Sequence, residues 1–306
     1  MKIYPCYQRT LAKKITATGI GLHSGKKVTL TLAPAPLGTG VVFVRTDLNN
    51  ARIPMSAELV QDTLMSSNLV AGEAKVGTVE HLLSAVAAFG IDNLYIEVDA
   101  PEIPIMDGSA APFLFLLDEA GIAIQDKLKE FICIQKPIRV SDGDKWAELS
   151  PYEHGFLMDF EIDFNHDAIK ATDQKTILDF NTANFAREVG QARTFGFLKD
   201  LEELHKHNLA LGGSLDNAVV LDEHSVVNEG GLRYHNEFVR HKMLDAVGDL
   251  YVIGKAILGK FSAYKSGHAL NNALIRKVLA DQDNYKIVTF YDKESCPIVY
   301  NLGKNS

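Results

Sequence analysis

One segment carries most of the information in this chain: Glu237-Phe-Val-Arg-His-Lys-Met-Leu-Asp-Ala-Val-Gly-Asp-Leu250. Apolar residues recur in it at helical spacing, and His241, Asp245 and Asp249 follow one another at intervals of four residues. Residues four apart lie on the same face of a helix, one turn above the other. The pattern therefore predicts an amphipathic helix from Phe238 to Ile253 with a polar stripe along one face.

The polar stripe has the spacing of a metal-binding helix. A neutral imidazole and a carboxylate one turn apart can hold one divalent ion. A third ligand from elsewhere would complete a catalytic zinc site, which keeps its fourth position open for water. The alternative is that His241 and Asp245 form a solvated ion pair on the helix surface. The helix alone favours that simpler interpretation.

A second segment offers the missing ligand: Gly77-Thr-Val-Glu-His-Leu-Leu-Ser-Ala-Val-Ala-Ala-Phe-Gly90. It predicts a short helix with Thr78 as its N-cap and Gly90 as its C-terminal stop. Glu80 and His81 would lie in the first turn, where the positive end of the helix dipole keeps an imidazole neutral. A carboxylate beside a metal-binding histidine is placed to accept a proton from bound water. The alternative is a surface histidine beside a glutamate that only offsets the dipole.

Several strings in the chain resemble one known family. They are Val79–His81, Pro101–Pro112, Arg193–Gly196, His241–Asp245 and Ala263–Asn272. In this order they are similar to the UDP-3-O-acyl-N-acetylglucosamine deacetylases, the zinc amidases of lipid A synthesis in Gram-negative bacteria. The likeness runs from Thr10 to about Asn272, which is nearly the whole chain.

The resemblance implies an α+β fold of two similar domains, each a sheet packed against helices, with the active site at their interface. Strands grouped apart from helices favour the same class. A chain of 306 residues also exceeds the usual size of a single core. We place the domains at residues 1–126 and 127–306, with the polar segment 125–130 as the linker. The metal ligands would then come from both domains.

The resemblance also implies roles for individual residues. The metal ligands that it implies are His81, His241 and Asp245, with Zn²⁺ as the metal, although the same donor set can hold Fe²⁺. The catalytic groups are Glu80 as general base, Thr194 as oxyanion donor, His268 as a protonated acid in a tight turn, Asp249 as its partner, and Lys242 near the substrate. The substrate-binding residues are Lys265 and Lys145 for the diphosphate, Phe164 for uracil, and Phe195, Gly213 and Ser214 in the insert 195–215. That insert would form an apolar passage for the acyl chain. Taken singly, each has a simpler interpretation as a packed or solvated side chain.

Composition agrees with this interpretation. An apolar fraction of 46% and a charged fraction of 23% are typical of a globular protein. The net charge of −8 argues against nucleic acid as a partner. No apolar run is long enough to span a bilayer, and the N-terminus lacks the apolar core of a signal peptide. Cys6, Cys133 and Cys296 show no zinc-finger spacing, so we expect reduced thiols and a cytoplasmic location. The sequence shows no long heptad pattern, so we also expect a monomer.

We therefore expect a deacetylase whose partner is UDP-3-O-(β-hydroxyacyl)-N-acetylglucosamine. Two alternatives stay open. A metal-dependent amidase of the same fold, acting on another amino-sugar or peptide amide, would share the zinc ligands but need not keep Thr194 or Lys265. A non-catalytic protein that binds a sugar nucleotide or a lipid would not need Glu80.

Overall fold

The computed structural model describes residues 7–63, 65–291 and 296–301, so Cys6 lies outside the described residues. The strands up to residue 128 are β1 (Tyr7–Leu11), β2 (Ile15–Ile20), β3 (Lys27–Pro34), β4 (Val41–Arg45), β5 (Ala51–Pro54), β6 (Val60–Asp62), β7 (Asn68–Ala71), β8 (Ala74–Val76), β9 (Leu94–Val98) and β10 (Ile122–Leu128). The later strands are β11 (Phe131–Ile134), β12 (Ile138–Asp142), β13 (Lys145–Ser150), β14 (Phe156–Glu161), β15 (Lys175–Asp179), β16 (Phe195–Phe197), β17 (Val219–Leu221), β18 (Ala256–Tyr264) and β19 (Tyr285–Val288). The helices are α1 (Glu80–Ala88), α2 (Ala111–Ala120), α3 (Asp167–Lys170), α4 (Thr182–Glu188), α5 (Leu198–Lys206), α6 (Glu237–Tyr251) and α7 (His268–Leu279), with single 3₁₀ turns at Ala57–Leu59 and Gln282–Asn284.

The predicted α+β class is confirmed. In the first half, five strands form a sheet in the order β2-β3-β9-β4-β5. In its strand β3, the alternate residues Val28, Leu30 and Leu32 are fully buried on one face. Helix α1 is buried along its whole length, so it lies in the interior rather than on a surface.

The second half repeats this plan around the long strand β18. That strand pairs antiparallel with β13 and parallel with β11 and β14. Helix α7 packs on β12 and β13, α6 packs on β14, and α6 also packs against α1. The helices of the two halves therefore face each other between the two sheets. Within the described residues, no helix is long and apolar enough to cross a membrane.

The start of α1 differs from the prediction. Thr78 is not its N-cap: Val79 holds that position, and no side chain caps the helix. Thr78 has a positive φ of 55° and its hydroxyl is buried without a hydrogen-bond partner. A β-bridge between Gly77 and Glu102, together with a bond from the Val79 N–H to the carbonyl of Ser67, fixes this turn. Tertiary contacts thus replace the predicted cap.

The predicted linker is also wrong for most of its length. Strand β10 runs to Leu128, which pairs with Tyr7 of β1. Lys129 follows and is fully buried, with Nζ donating to the carbonyl of Gly90 and, at 2.7 Å, to Oδ1 of Asp92. Residues 125–128 belong to β10, and the buried Lys129 pairs with Asp92, so this segment is not a free connection. The position of the domain boundary stays a prediction.

The last described segment joins both halves. Tyr300 is buried and its ring packs on Gly90, whose φ of 61° ends α1 as predicted. A Cβ at Gly90 would lie 2.8 Å from that ring, so glycine is required there. Arg9 donates to the carbonyls of Phe89, Tyr300 and Asn301. Tyr300 is therefore part of the core.

We predict that Tyr300→Ala lowers the free energy of unfolding by about 3–5 kcal/mol, because it leaves an aromatic-sized cavity. Val299→Ala is the matched control, since Val299 is 55% exposed, and its effect should stay within about 0.5 kcal/mol. Urea denaturation of the three proteins measures both values. Equal stabilities for the two variants would show that the segment is not part of the core.

Candidate active site

Gly248 allows α6 to contact α1. A Cβ built on it would lie 2.0 Å from the carbonyl oxygen of Glu80, closer than any side chain tolerates. Glycine inside a helix costs about 0.5–1 kcal/mol relative to alanine, so its presence in mid-helix has a packing reason. The close approach sets the ring of His81 edge-to-face on that of His241, with centroids 4.9 Å apart.

Three of the predicted residues converge at this contact. His81, His241 and Asp245 are buried, and one donor atom of each lies within 4.8 Å of the others. The Nε2 atoms of His81 and His241 lie 3.4 and 3.3 Å from Oδ1 of Asp245. Ligand atoms around a tetrahedral zinc at about 2.0–2.2 Å are spaced by about 3.3–3.6 Å, so these two distances match those around such an ion. A solvated ion pair, the alternative from the sequence, does not agree with this burial.

Hydrogen bonds orient the donors toward one another. The Nδ1–H of His241 donates to the carbonyl of Ala192 at 3.0 Å, which leaves the Nε2 lone pair facing Asp245. Burial lowers the pKa of His241 to about 4, so the ring is neutral at physiological pH. Lys242 Nζ donates to Oδ2 of Asp245 at 2.7 Å, whereas the buried Oδ1 accepts no hydrogen bond. A cation between the imidazoles would satisfy that oxygen.

The charge on Asp245 is maintained by its neighbours. Burial acts to raise its pKa, but its neighbours, among them the Lys242 ammonium that donates to Oδ2, outweigh burial and hold the pKa well below the usual range. The site therefore offers two imidazole nitrogens and one anionic oxygen. This is a donor set suited to a divalent ion such as zinc.

Glu80 lies beside these donors as the first residue of α1. Its Oε2 accepts the backbone N–H of Ser67 at 3.0 Å. Burial raises the pKa of Glu80, although the nearby His268 and His81 act in the opposite direction. A carboxylate with a raised pKa is a stronger base than one in water, which suits the predicted role.

His268 is the first residue of α7 rather than part of the expected tight turn. Gly267 has a φ of −141°, and the positive φ in this segment is that of Lys265, at 54°. The Nδ1–H of His268 donates to Oδ2 of Asp249 at 2.9 Å, as the sequence predicted for this pair. Burial acts to lower the pKa of His268, but the Asp249 carboxylate outweighs it and raises the pKa to about 9. The ring is therefore an imidazolium at neutral pH.

Two further residues hold Asp249 and were missed in the sequence. The hydroxyl of Ser67 donates to Oδ1 at 2.6 Å, and Nδ2 of Asn271 donates to Oδ2 at 2.9 Å. Asn271 lies three residues after His268, a spacing that places both on one face of α7 and could have identified it. Ser67 gave no signal, because only the folded chain brings it to α6.

Thr194 is placed by the residues before it. The Ala192 carbonyl accepts the bond from His241, and Arg193 makes a buried ion pair with Glu237 at 2.8 Å. Glu237 is the first residue of α6, so both contacts tie the segment to the helix that carries the candidate ligands. Thr194 follows directly and is half-buried. Its role as oxyanion donor stays a prediction.

The family model of the UDP-3-O-acyl N-acetylglycosamine deacetylases (LpxC) matches residues 8–280. The chain belongs to this family. It is 59% identical over 294 residues to the UDP-3-O-acyl-N-acetylglucosamine deacetylase of Psychrobacter arcticus, covering 96% of this chain and 92% of that one. It is 56% identical over 298 residues to the enzyme of the same name from Shewanella sp. strain W3-18-1, covering 97% of each chain.

The residues expected to contact a nucleotide lie in one region. Lys265 Nζ lies 2.7 Å from Oδ2 of Asp144, the residue before the exposed Lys145. It also lies 3.4 Å from Oδ2 of Asp163, the residue before Phe164. The ion pairs of Lys265 therefore reach the residues that precede Lys145 and Phe164. The roles of all three residues toward a nucleotide stay predictions.

An aromatic row connects that region to the candidate metal ligands. The half-buried ring of Phe164 packs on Phe195 with centroids 5.5 Å apart. The ring of Phe195 in turn lies edge-on to that of His241, at 6.4 Å. The ring of Phe195 therefore lies between Phe164 and one of the candidate metal ligands.

The insert exposes its apolar side chains. Helix α5 has no buried residue, and Leu198, Leu211 and Leu215 are 43%, 46% and 49% exposed. Core packing, the alternative from the sequence, is wrong for these leucines. Gly213 and Ser214 form a turn between them, with backbone N–H groups bonded to Ala210 and Asn217.

We predict that Gly248→Ala separates α1 from α6 and weakens zinc binding to the protein. Overpacking of this kind destabilises by about 1–3 kcal/mol and exceeds any gain in helix propensity. Isothermal titration with zinc and urea denaturation measure the two effects. In the control Gly230→Ala the new Cβ meets nothing within 4 Å, so both quantities should match wild type. Unchanged zinc affinity in Gly248→Ala would contradict the packing argument.

Proposed function

We propose that this protein is a zinc-dependent deacetylase that hydrolyses the N-acetyl group of UDP-3-O-(β-hydroxyacyl)-N-acetylglucosamine, the committed step of lipid A synthesis. The observation that carries the proposal is the buried convergence of His81, His241 and Asp245 beside Glu80. The family and the names of the relatives supply the substrate class. Zinc held by the three ligands would polarise the acetyl carbonyl and lower the pKa of a bound water to about 7.

The proton transfers are assigned to groups of this chain. Glu80 accepts the proton of the water whose oxygen attacks the acetyl carbon. The C–N bond then breaks, and His268 donates its proton to the departing nitrogen, so the products are acetate and the free amine. Thr194 would donate a hydrogen bond to the developing oxyanion. Lys242 donates a hydrogen bond to the carboxylate of Asp245 and keeps that ligand ionised.

The surroundings support this substrate over another amide. Lys265 and Lys145 offer cations to a diphosphate, and Phe164 offers a ring to the base. The exposed leucines of the insert offer an apolar surface to an acyl chain. A peptide or a simple amino sugar would use neither. Glu80, which a binding protein would not need, is retained and buried with a raised pKa.

We predict that wild type releases acetate from this substrate and that Glu80→Gln lowers kcat by about 10²–10⁴-fold, because the general base is lost. Metal content, measured on the same samples, should be about one zinc per chain in both proteins. Acetate release by Glu80→Gln at the wild-type rate would rule out Glu80 as the base. A folded and metallated wild type that releases no acetate would show that the substrate is wrong, and a panel of other amides would follow.

We predict that kcat/KM falls as the pH rises through about 9, because His268 must be protonated and its pKa is about 9. Asp249→Asn removes the largest contribution that raises this pKa, whereas burial, which lowers it, stays. The alkaline fall in that variant should therefore move to lower pH. Rate profiles for both proteins between pH 5 and pH 10 decide the matter, and an unshifted alkaline limb in Asp249→Asn would exclude this role for the pair.

A further inference from the structure

We propose that Ser67 and Asn271 are positioning residues, which fix the carboxylate of Asp249 and through it the ring of His268 for proton donation. The proposal rests on the proposed function, since it concerns the acid side of that reaction. The hydrogen bonds concerned join buried side chains on three separate parts of the chain.

Ser67 contacts both the proposed base, Glu80, and Asp249, the partner of the proposed acid. It is 2% exposed and precedes β7, far in sequence from α6 and α7. Its backbone N–H donates to Oε2 of Glu80 at 3.0 Å, and its hydroxyl donates to Oδ1 of Asp249 at 2.6 Å. The two contacts use different atoms, so a change of side chain removes the second and leaves the first.

Asn271 holds the other oxygen of the same carboxylate. It is 1% exposed, and its Nδ2 donates to Oδ2 of Asp249 at 2.9 Å. The hydroxyl of Ser266 donates to Oδ1 of Asn271 at 2.6 Å, which fixes the amide with its nitrogen toward Asp249. Asn271 and His268 therefore approach Asp249 from one face of α7.

The consequence concerns the orientation of His268. A carboxylate with a donor at each oxygen, from a loop and from a helix, cannot rotate about its own axis without losing a bond. Nδ1 of His268 lies 3.0 Å from its Oδ1 and 2.9 Å from its Oδ2, so the fixed carboxylate sets the direction of the Nδ1–H. Nε2 is left as the nitrogen that transfers the proton, as positioned acids require. Ser67 and Asn271 act through His268 and need not touch the substrate.

The first test is a double-mutant cycle. Ser67→Ala should lower kcat by about 10- to 100-fold with KM unchanged, the typical effect of losing a hydrogen bond to a charged group. In a His268→Ala background the same change should cost less than about 2-fold, because the group it positions is gone. Asn271→Ala should show the same loss of kcat in wild type and the same small loss in the His268→Ala background. It serves as the test if Ser67→Ala does not fold. Equal losses in both backgrounds, or no loss in wild type, would overturn the proposal.

The matched control is Ser109→Ala. Ser109 is also fully buried and its hydroxyl also donates to a carboxylate, that of Asp107, at 2.8 Å. Asp107 pairs with Arg233 rather than with a histidine. Loss of this hydroxyl should leave kcat unchanged. A loss as large as that in Ser67→Ala would show that any buried hydroxyl has this effect, and would overturn the proposal.

The second test needs no substrate. A buried Nδ1–H bonded to a carboxylate gives a downfield, slowly exchanging proton signal, which His268→Ala identifies by its disappearance. We expect faster exchange of that proton in Ser67→Ala and Asn271→Ala, and wild-type exchange in Ser109→Ala. Unchanged exchange in both Ser67→Ala and Asn271→Ala would overturn the proposal. A wild type without deacetylase activity would reject the proposed function and leave this measurement valid.

Discussion

The close approach of two helices at Gly248 is the constraint on which the candidate site depends. Since a Cβ at this position would lie 2.0 Å from the Glu80 carbonyl oxygen, the backbones of α1 and α6 are in direct contact. Every residue of α1 is buried as a result. His81 comes from one half of the chain and His241 from the other, so neither half contains the site alone. The sheets outside the helices hold this contact in place.

Burial then gives different charges to neighbouring groups, according to their partners. It leaves His241 neutral, with a pKa of about 4. His268 is less fully buried and faces Asp249, and its pKa rises to about 9. Burial also raises the pKa of Glu80, although His268 and His81 act in the opposite direction. One low-dielectric region therefore provides a neutral ligand, a charged acid and a strengthened base, which is the separation of roles that amide hydrolysis requires.

Much of this could be predicted from the sequence. Hydrophobic periodicity gave α6, and the family strings gave the fold class and the ligands that converge. The predicted cap at Thr78 and the predicted linker were wrong because long-range contacts, with Ser67 and with a buried Lys129, decide those segments. Ser67 was missed for the same reason, since its partners are distant in sequence. Gly248 did carry a signal, as a glycine inside an amphipathic helix, but its partner could not be read from the chain.

The position of bound zinc in a crystal of the protein, located by anomalous scattering at the zinc edge, would show directly whether these three side chains bind the metal. We expect one strong peak at about 2.0–2.2 Å from Nε2 of His81, Nε2 of His241 and Oδ1 of Asp245. Glu80 should lie beside that peak without binding it. A peak elsewhere in a zinc-loaded crystal would show that the three residues do not form the zinc site.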